Sequence, residues 1–414
     1  MTIVVLDGNE NQAVAAVRSL ARAGHRVLVG ADTSWSKAGW SRACAGTLVY
    51  PSPEQDANAF IRAMLVRLQS EPGALVLPMT ERTTLPLSRD RDAVIRAGGR
   101  LVLPDHRTVV RAFDKQQTTE LARSLGVDVP ATRTIGSDDE AHQCAHALRF
   151  PVVVKPRSSQ EFVGEATRTT GAPLYARNEP ELLAAWNVLA SRCRSALVQE
   201  FVEGTGVGYF ALLDRGRVRA EFAHRRIRDV RPTGSGSSLR ESSSPDARVR
   251  NAALAILHAL DWHGVAMVEF RMRPDGTPTF IEVNGRFWNS LALAIYAGVD
   301  FPALVAALAE ERDPGPQPTW RAGVRCRWLL GDLRHLIEVW TGAPAGYPGL
   351  FPARLQTLAA ELTPVPGTYH DNFSWRDPLP ELGDWLDFLF RKLPRRRSSR
   401  KAEIWNGERR PSHS

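Results

Sequence analysis

Apolar runs and helical periodicity alternate at the start of the chain. Residues 3–6 form a short apolar run, a polar turn follows, and apolar side chains then recur at helical spacing up to Gly24. Residues 27–29 form the next apolar run, so the pattern is strand, helix, strand, which predicts a parallel sheet. Further strands of this region are predicted at residues 47–50, 74–77 and 101–103. The region lacks GxGxxG, so we predict no dinucleotide site despite the Rossmann-like pattern.

A second region begins near Arg111 and mixes helix, strand and hairpin patterns. From residue 301 onward the pattern is helical, with many tryptophans and with prolines between segments. Between residues 111 and 301 the first predicted elements are a helix over 113–125, a strand over 151–156, a polar segment over 157–171 and a strand over 196–204. They are followed by a hairpin of 207–213 with 218–223, a mobile loop over 228–245, a helix over 245–260, and two strands over 265–271 and 279–283.

Length, composition and charge narrow the class of protein. The 414 residues, 43% of them hydrophobic, are enough for two to four domains with sizeable cores. No run of 18 apolar residues occurs, and the N-terminus is predicted to be a buried strand and not a signal peptide. The four cysteines are far apart and form no CxxC pair, which favours a reducing cytoplasm.

The positive charge is concentrated at the C-terminus. Residues 391–414 hold nine Lys or Arg and two Asp or Glu, so about +7 of the formal +8 lies there. The rest of the chain is nearly neutral, which argues against nucleic-acid binding by the folded body.

Three acidic and amide side chains form the strongest candidate site. Glu282 and Asn284 are two apart on a predicted strand, so they share a face, and a hairpin can place Glu269 beside them. Two carboxylates among apolar neighbours repel each other unless a cation lies between them, and hard oxygen ligands suit Mg²⁺ that bridges nucleotide phosphates. The alternative is a pair of acids on the solvated face of an antiparallel sheet.

Two lysines are candidates for binding an anion. Lys155 ends a strand of three valines, where a buried ammonium needs a partner, and Lys115 begins a helix whose N-terminus favours negative charge. Either lysine alone could instead be an ordinary exposed charge. A third pattern, residues 199–204 (QEFVEG), offers the backbone groups of an edge strand for hydrogen bonding to adenine, and is weak by itself.

The order of five short motifs is more specific than any one of them. The motifs DK, VVVKP, QEFVEG, MVEF and IEVNGR follow one another at spacings of tens of residues. In this order the chain resembles the ATP-grasp superfamily, especially its carboxylate–amine ligase branch, over roughly residues 1–305. The resemblance implies an α/β and α+β architecture with four parts: a Rossmann-like pre-ATP-grasp domain (1–110), an ATP-grasp domain of two subdomains that grip ATP (111–305), a helical C-terminal extension (306–390) and a basic, disordered tail (391–414).

The same resemblance assigns roles to individual residues, all of which are expectations. Lys115 and Lys155 would hold the ATP phosphates, with Ser158 at the start of a flexible lid that ends at Gly164. Arg286 would neutralise the transferring phosphoryl group, so Arg286 and Lys155 are the predicted catalytic residues. The remaining expected contacts are the adenine hinge at Glu200, Phe201 and Val202; the ribose at Glu203, in place of the acidic residue usual a few positions later; Mg²⁺ or Mn²⁺ at Glu269, Glu282 and Asn284; and the acceptor site at 224–228, Gly234, Ser235, Arg240 and Glu241.

The activity that the resemblance implies is ligation driven by ATP. A small-molecule carboxylate would be activated as an acyl phosphate and coupled to an amine, or less often a thiol, with release of ADP and phosphate. Two alternatives stay open at this point: a small-molecule kinase of the same fold, and a non-catalytic nucleotide-binding protein. The acid, the amine and the oligomeric state are not defined by the sequence.

The C-terminal end carries a separate hypothesis. An apolar stripe at helical spacing (Leu382, Trp385, Leu386, Leu389, Leu393) precedes the basic run. Such a pair is typical of a weak peripheral contact with an anionic membrane. The alternative is that the stripe packs on the protein body and the basic run is a solvated tail.

Overall fold

The computed structural model describes residues 1–363 and 365–392. The N-terminal region forms a parallel sheet of strand order β3-β2-β1-β4, which confirms the predicted strand–helix–strand pattern. Its elements are β1 (Thr2–Val5), α1 (Asn11–Arg22), β2 (Arg26–Ala31), a 3₁₀ turn (Ala38–Trp40), β3 (Gly46–Val49), α2 (Ala57–Ser70), β4 (Leu75–Leu77), α3 (Glu81–Arg89) and α4 (Arg91–Arg96).

The strand predicted at residues 101–103 is wrong. Arg100 makes a bridge to Leu75, but residues 101–103 continue as an extended buried segment without ladder pairing. A short apolar run indicates that a segment is buried, but burial alone does not distinguish a strand from an extended connection. The connection leads into α5 (His106–Phe113) and α6 (Lys115–Ser124).

An antiparallel sheet of order β5-β10-β6-β9 follows, covered by two helices. A separate hairpin, β7–β8, occupies the polar segment that the sequence assigns to a lid. The bounds are β5 (Thr132–Ile135), α7 (Asp138–Ala147), β6 (Val152–Pro156), β7 (Gln160–Val163), β8 (Ala166–Thr169), β9 (Leu174–Ala176), α8 (Glu179–Ala190) and β10 (Ala196–Glu200).

The largest sheet has the order β15-β14-β11-β12-β13-β16-β17. The mobile loop predicted over 228–245 is wrong, because β12 continues to Arg231 and β13 pairs with both β12 and β16. Ladder pairing on both sides outweighs the weak strand propensity of this serine- and glycine-rich segment. The bounds are β11 (Thr205–Asp214), β12 (Arg217–Arg231), β13 (Ser235–Ser242), α9 (Ala247–Ala259), β14 (Gly264–Met272), β15 (Pro278–Asn284), α10 (Leu291–Ala297), α11 (Phe301–Ala309), β16 (Arg325–Arg327), α12 (Leu329–Thr341), α13 (Arg354–Leu362), β17 (Tyr369–His370) and α14 (Leu379–Lys392).

Helix α14 is fixed to the body through polar contacts. Asp384 accepts from Lys37 Nζ at 2.9 Å and from Trp328 Nε1 at 2.6 Å, and all three side chains are buried. Leu382 and Leu389 of the predicted apolar stripe stay exposed. Leu393 and the basic residues that follow lie outside the described residues, so the membrane contact stays a prediction.

Among the described residues, no single helix has the length and apolar character of a membrane span. Only α10 and α11 together meet that test, and they are bent by 92° relative to each other. All four cysteines are free thiols.

Candidate active site

A cavity of about 290 Å³ lies between the second sheet and the largest sheet. One wall is formed by Lys155 at the end of β6 and by the segment after β10, and the other wall is formed by β14 and β15. Lys115 lines the cavity from the first position of α6, a helix that is capped by Asp114, and the Asp114 carboxylate also accepts from Arg157 Nε at 2.7 Å. Antiparallel strands from two sheets therefore bring distant sequence motifs to one cleft.

The carboxylates of the candidate site face each other across a strand pair. Glu269 and Glu282 are directly paired residues of β14 and β15, so their side chains share one face. Glu282 Oε2 lies 3.6 Å from Lys115 Nζ, and Asn284 Nδ2 donates to Glu282 Oε1 at 3.0 Å. The structure thus brings Glu269, Glu282 and Asn284 together with Lys115.

Arg226 of β12 lines the first cavity, a position that its sequence motif did not indicate. Its Nη2 donates to Glu269 Oε2 at 2.7 Å, and its expected role at the acceptor site stays a prediction. The two carboxylates are therefore neutralised by Arg226 and Lys115, which explains how they coexist among apolar neighbours. No local pattern could have identified this pairing, because the two residues lie 43 positions apart in the sequence.

The local charges move the pKa values of the two carboxyl groups in opposite directions. Burial raises the pKa of Glu269, and the neighbouring Arg226 opposes this only in part. Burial also acts to raise the pKa of Glu282, but Lys115 and Lys155 outweigh it and hold that pKa below its usual range. Glu282 is therefore the more firmly ionised member of the pair.

Lys155 is buried, at 7% exposure, at the end of a strand of valines. Burial lowers its pKa to about 8, while the negative charge of Glu282 acts in the opposite direction. Lys115 is better anchored, because its Nζ donates to Ser159 Oγ at 3.0 Å as well as facing Glu282. Both ammonium groups line the same cavity, as phosphate binding requires.

The donor set fits Mg²⁺ only in part. Within the described ranges no cluster of three or more His, Cys, Asp or Glu is arranged to hold a metal ion. Glu269 and Glu282 offer hard carboxylate oxygens, which is the ligand type Mg²⁺ takes when substrate phosphates supply the rest of its coordination. The Oδ1 of Asn284 is engaged by Arg286 Nη2 at 3.0 Å, so this third predicted ligand is shared with a cation.

The predicted adenine hinge has two of its N–H groups already engaged. The Glu200 and Phe201 N–H groups donate to Ala131 O at 3.0 Å and Pro151 O at 2.9 Å. The Glu200 carboxylate accepts from the Arg149 N–H at 3.2 Å. Val202 also lines the cavity, and the adenine contact of these three residues stays a prediction.

An aromatic cluster closes the hinge side of the cavity. The Phe201 ring lies 6.3 Å from the Tyr175 ring and 6.0 Å from the Tyr347 ring, centroid to centroid. Tyr347 comes from the C-terminal region, where no sequence motif had pointed to the site. Glu203, the predicted ribose contact, is exposed and lines a neighbouring pocket with Arg273 and Asp275.

The expected lid residues border the cavity. Ser158 and Ser159 line it, and the Ser158 hydroxyl donates to Gln160 O at 2.8 Å, where the β7–β8 hairpin begins. Two residues that were expected at the acceptor site, Arg240 and Glu241, do not line this cavity. Arg240 is fully buried against Asp371, and Glu241 pairs with Arg225 at 2.7 Å.

A second, larger cavity of about 920 Å³ opens at the carboxyl ends of the parallel strands. It meets the first cavity at Ser159, and Arg286 lines it. Arg286 Nη2 donates to Asn284 Oδ1 at 3.0 Å and lies 4.0 Å from Glu81 Oε1. The sequence analysis missed this cavity, although Asp7, Asp32 and Glu81 follow β1, β2 and β4 closely, which is where ligands of parallel sheets bind.

The chain matches a family model and two curated relatives over limited ranges. The family model, described as "ATP-grasp in the biosynthetic pathway with Ter operon", matches residues 192–331. The D-alanine–D-alanine ligase of Nitrosospira multiformis is 26% identical over 208 residues, which is 47% of this chain and 65% of that protein. The N-terminal section of the carbamoyl phosphate synthase large chain of Methanopyrus kandleri is 27% identical over 214 residues, 49% of this chain and 36% of that protein. The matched part thus spans less than two thirds of either relative.

A solved structure extends the likeness to most of the chain. The biotin carboxylase domain of 2-oxoglutarate carboxylase from Hydrogenobacter thermophilus, determined as a dimer with MgADP, ADP and bicarbonate, aligns with a TM-score of 0.60 at 16% identity. The alignment covers 78% of this chain and 73% of that one. At this identity the likeness establishes the fold, and the family model and the relatives all indicate the ATP-grasp superfamily over the ranges that they match.

Proposed function

We propose that the protein is an ATP-dependent ligase that activates a small-molecule carboxylate as an acyl phosphate and couples it to an amine. The observation that carries the proposal is that two lysines and two opposed carboxylates line one cavity, with an arginine between it and a second cavity. A nucleotide and an acid substrate can then meet at Arg286.

In the first step the chain's own groups bind and orient the reacting atoms. Lys115 and Lys155 would hold the phosphates, while Glu269 and Glu282 would hold Mg²⁺. The chemistry that Mg²⁺ supplies there is Lewis-acid neutralisation of phosphoryl charge. A carboxylate oxygen attacks the γ-phosphorus, the bond from that phosphorus to the β,γ-bridging oxygen breaks, and ADP leaves. Arg286 would stabilise the negative charge on the transferring group.

In the second step the amine nitrogen attacks the acyl carbon. The carbon–oxygen bond to phosphate breaks, phosphate leaves with the electron pair, and the proton that the nitrogen loses goes to the departing phosphate. Water would consume the acyl phosphate, so the β7–β8 hairpin and the Ser158–Ser159 segment would have to cover it.

The second cavity favours the ligase over the two alternatives. A non-catalytic nucleotide sensor has no need of a 920 Å³ cavity joined to the nucleotide site through Ser159 and Arg286. A kinase needs an alcohol beside the phosphates, and Arg286 is better suited to a carboxylate, which its guanidinium can bind in a bidentate manner.

A turnover assay tests the proposal. ADP release should require an acid, an amine and Mg²⁺ together, and Glu282→Ala should abolish it while the circular dichroism spectrum stays that of wild type. With an ¹⁸O-labelled carboxylate, one label should appear in the released phosphate. Equal turnover in Glu282→Ala refutes the site, and label that stays wholly in the organic product with a phosphorylated alcohol supports the kinase.

The same proposal implies which partners and which cellular compartment the reaction needs. The partners are a small carboxylate and an amine, without nucleic acid, and the four free cysteines fit the reducing cytoplasm. A peripheral membrane contact of the tail is a separate hypothesis and is not needed for this function.

A further inference from the structure

A continuous set of polar side chains joins helix α14 to the second cavity. Lys37 Nζ donates to Asp384 Oδ1 of that helix at 2.9 Å, and it also donates to the Oδ1 of Asn11, the first residue of α1. Asn11 Nδ2 in turn donates to Asn289 Oδ1 at 3.2 Å. Asn289 is half-buried and lines the cavity, whereas the other three side chains are buried and do not line it. The C-terminal helix is therefore connected to the cavity by hydrogen bonds alone.

The charged groups of this set fix the direction of its amides. An ammonium group only donates, so the Asn11 atom that faces Lys37 has to be the carbonyl oxygen. The same oxygen accepts from Asn372 Nδ2 at 2.9 Å, and that NH2 group also donates to Asp384 Oδ2 at 3.0 Å. The Asn11 NH2 group consequently faces Asn289, where it requires an oxygen. The oxygen of Asn289 is thereby turned towards Asn11, and its Nδ2 is left for the cavity.

Most donors of the second cavity are already engaged by the protein. Three of the side-chain amides that line it donate to protein oxygens: Asn9 at 3.1 Å, Gln12 at 3.0 Å and Gln160 at 2.6 Å. Arg82 is paired with two aspartates, at 3.3 and 3.1 Å. The Nδ2 of Asn289, by contrast, makes no hydrogen bond within the described part of the chain. A half-buried NH2 group of this kind is available to a ligand oxygen.

We propose that Asn289 Nδ2 donates to an oxygen of the acid substrate in the second cavity, and that Asn11 and Lys37 are positioning residues that hold this donor in place. The inference rests on the proposed ligase function and adds a substrate contact to that of Arg286, which lines the same cavity. Helix α14 takes part in substrate binding, because Asp384 holds Lys37. The position selects a substrate group that accepts a hydrogen bond and rejects one that only donates.

The acceptor oxygen belongs either to the carboxylate of the acid or to a neutral carbonyl group elsewhere in it. Acetate and acetamide separate these two sources, since they have nearly the same shape and differ in charge. The full chain is labelled with ¹⁵N in its asparagine side chains and saturated with Mg²⁺ and a non-hydrolysable ATP analogue. The NH2 signal of Asn289 is identified by its loss in Asn289→Asp. Acetate or acetamide should shift that signal in the wild-type protein, and sodium chloride at the same concentration should not.

The variant Asn11→Asp reverses the polarity of the set without changing its shape. The new carboxylate still accepts from Lys37 and Asn372, and negative charge at the first position of α1 is favoured by the helix dipole, so the fold should be kept. A carboxylate cannot donate, so the Asn289 amide should turn over and give its NH2 group to that carboxylate. The Asn289 NH2 should then exchange with water more slowly than in wild type, and neither probe should shift it.

A double variant tests the role of Lys37 itself. Lys37→Met together with Asp384→Leu removes the ammonium and its buried partner, so no unpaired charge is left buried between them. Neither direction of the Asn11 amide is then enforced, and the exchange rate of the Asn289 NH2 should lie between those of wild type and Asn11→Asp. Wild-type exchange in the double variant would overturn the assignment of Lys37 as a positioning residue.

ADP release gives the kinetic form of the test. Asn289→Asp and Asn11→Asp should both raise the KM of the acid about 10- to 100-fold where the acceptor is a carboxylate, and less where it is a neutral carbonyl, with the KM of ATP unchanged. Asn187→Asp, which adds the same charge at an exposed position of α8, is the matched control and should match wild type. A purely structural Asn11 would leave the KM of the acid unchanged in Asn11→Asp, because that variant keeps the contact with Lys37.

The outcomes separate this inference from the proposed function. An Asn289 signal that neither probe shifts, or wild-type exchange and wild-type KM values in Asn11→Asp, overturns the inference and leaves the ligase intact. Absence of ADP release with every acid and amine, although the ATP analogue binds, overturns the ligase. In that case the NMR signal alone decides: a shift by acetate or acetamide that is lost in Asn11→Asp supports the contact at Asn289, and no shift overturns it.

Discussion

Nucleotide binding should weaken above pH 8 because of one lysine. Lys155 is buried in the wall of the nucleotide cavity, and burial lowers its pKa to about 8. Phosphate oxygens beside the ammonium would favour its charged form, so the bound state has the higher pKa. The affinity is therefore fully present below pH 8 and is lost as the pH rises from 8 towards the pKa of the complex.

The size of the effect follows from the two pKa values. If phosphate contact restores the ordinary lysine value of 10.5, the dissociation constant should rise about 20-fold between pH 7.5 and pH 9.5. The rise steepens to nearly ten-fold for each pH unit once Lys155 is mostly neutral in the free protein.

Calorimetry with a non-hydrolysable ATP analogue and excess Mg²⁺ measures this dependence directly. Lys155→Arg is the matched control, because a guanidinium keeps its charge throughout the range and its profile should be flat. Lys155→Met should bind weakly at every pH and also give a flat profile. A wild-type profile that is flat to pH 9.5, or an equal slope in Lys155→Arg, would refute the assignment of Lys155 to the phosphates.

Three further predictions concern the fold, the hinge and the tail. Lys37→Met should lower the free energy of unfolding by about 3–5 kcal/mol in urea denaturation, because it leaves Asp384 buried and unpaired, and adding Asp384→Leu should recover part of that loss. Tyr347→Ala should raise the KM of ATP several-fold by freeing the Phe201 ring, whereas Tyr347→Phe should stay near wild type; equal values for both would exclude a role for the ring. Binding to anionic liposomes at low salt should vanish in a chain that ends at Lys392, and an absence of binding by the full chain at low salt would end the membrane hypothesis.

The parts of the fold and site that could be predicted depend on local patterns. The parallel sheet follows from one strand–helix–strand pattern, and the pairing of Glu269 with Glu282 follows from residue spacing on two strands joined by a short turn. The superfamily followed from motif order. The boundaries near residues 110 and 305 and the individual ligand roles stay predictions.

The parts that were missed depend on contacts between distant segments. Strand β13 exists because β12 and β16 pair with it on both sides, which its polar composition does not reveal. Arg226 reaches Glu269 across 43 positions, and Tyr347 reaches Phe201 from another region of the chain. Such contacts have no signature in a single sequence, because each partner is ordinary in its own segment.

The division of the hydrophobic cores indicates which side of the nucleotide cavity can move. Helix α1 and strand β1 share one core with Phe210 of the largest sheet and with Trp288, which follows that sheet's strand β15, so the distance from Glu81 to Arg286 is set by one packed unit. The second sheet has its own core around Trp186, and Lys155 belongs to that sheet. Closure of the second sheet would therefore change the position of Lys155 relative to Glu282, while the wall of the second cavity that the N-terminal sheet forms would stay in place. The negative charge of Glu282 opposes the effect of burial on the pKa of Lys155. A closure that brings Lys155 nearer to Glu282 would therefore raise this pKa as the phosphates bind, and closure would be coupled to protonation of Lys155.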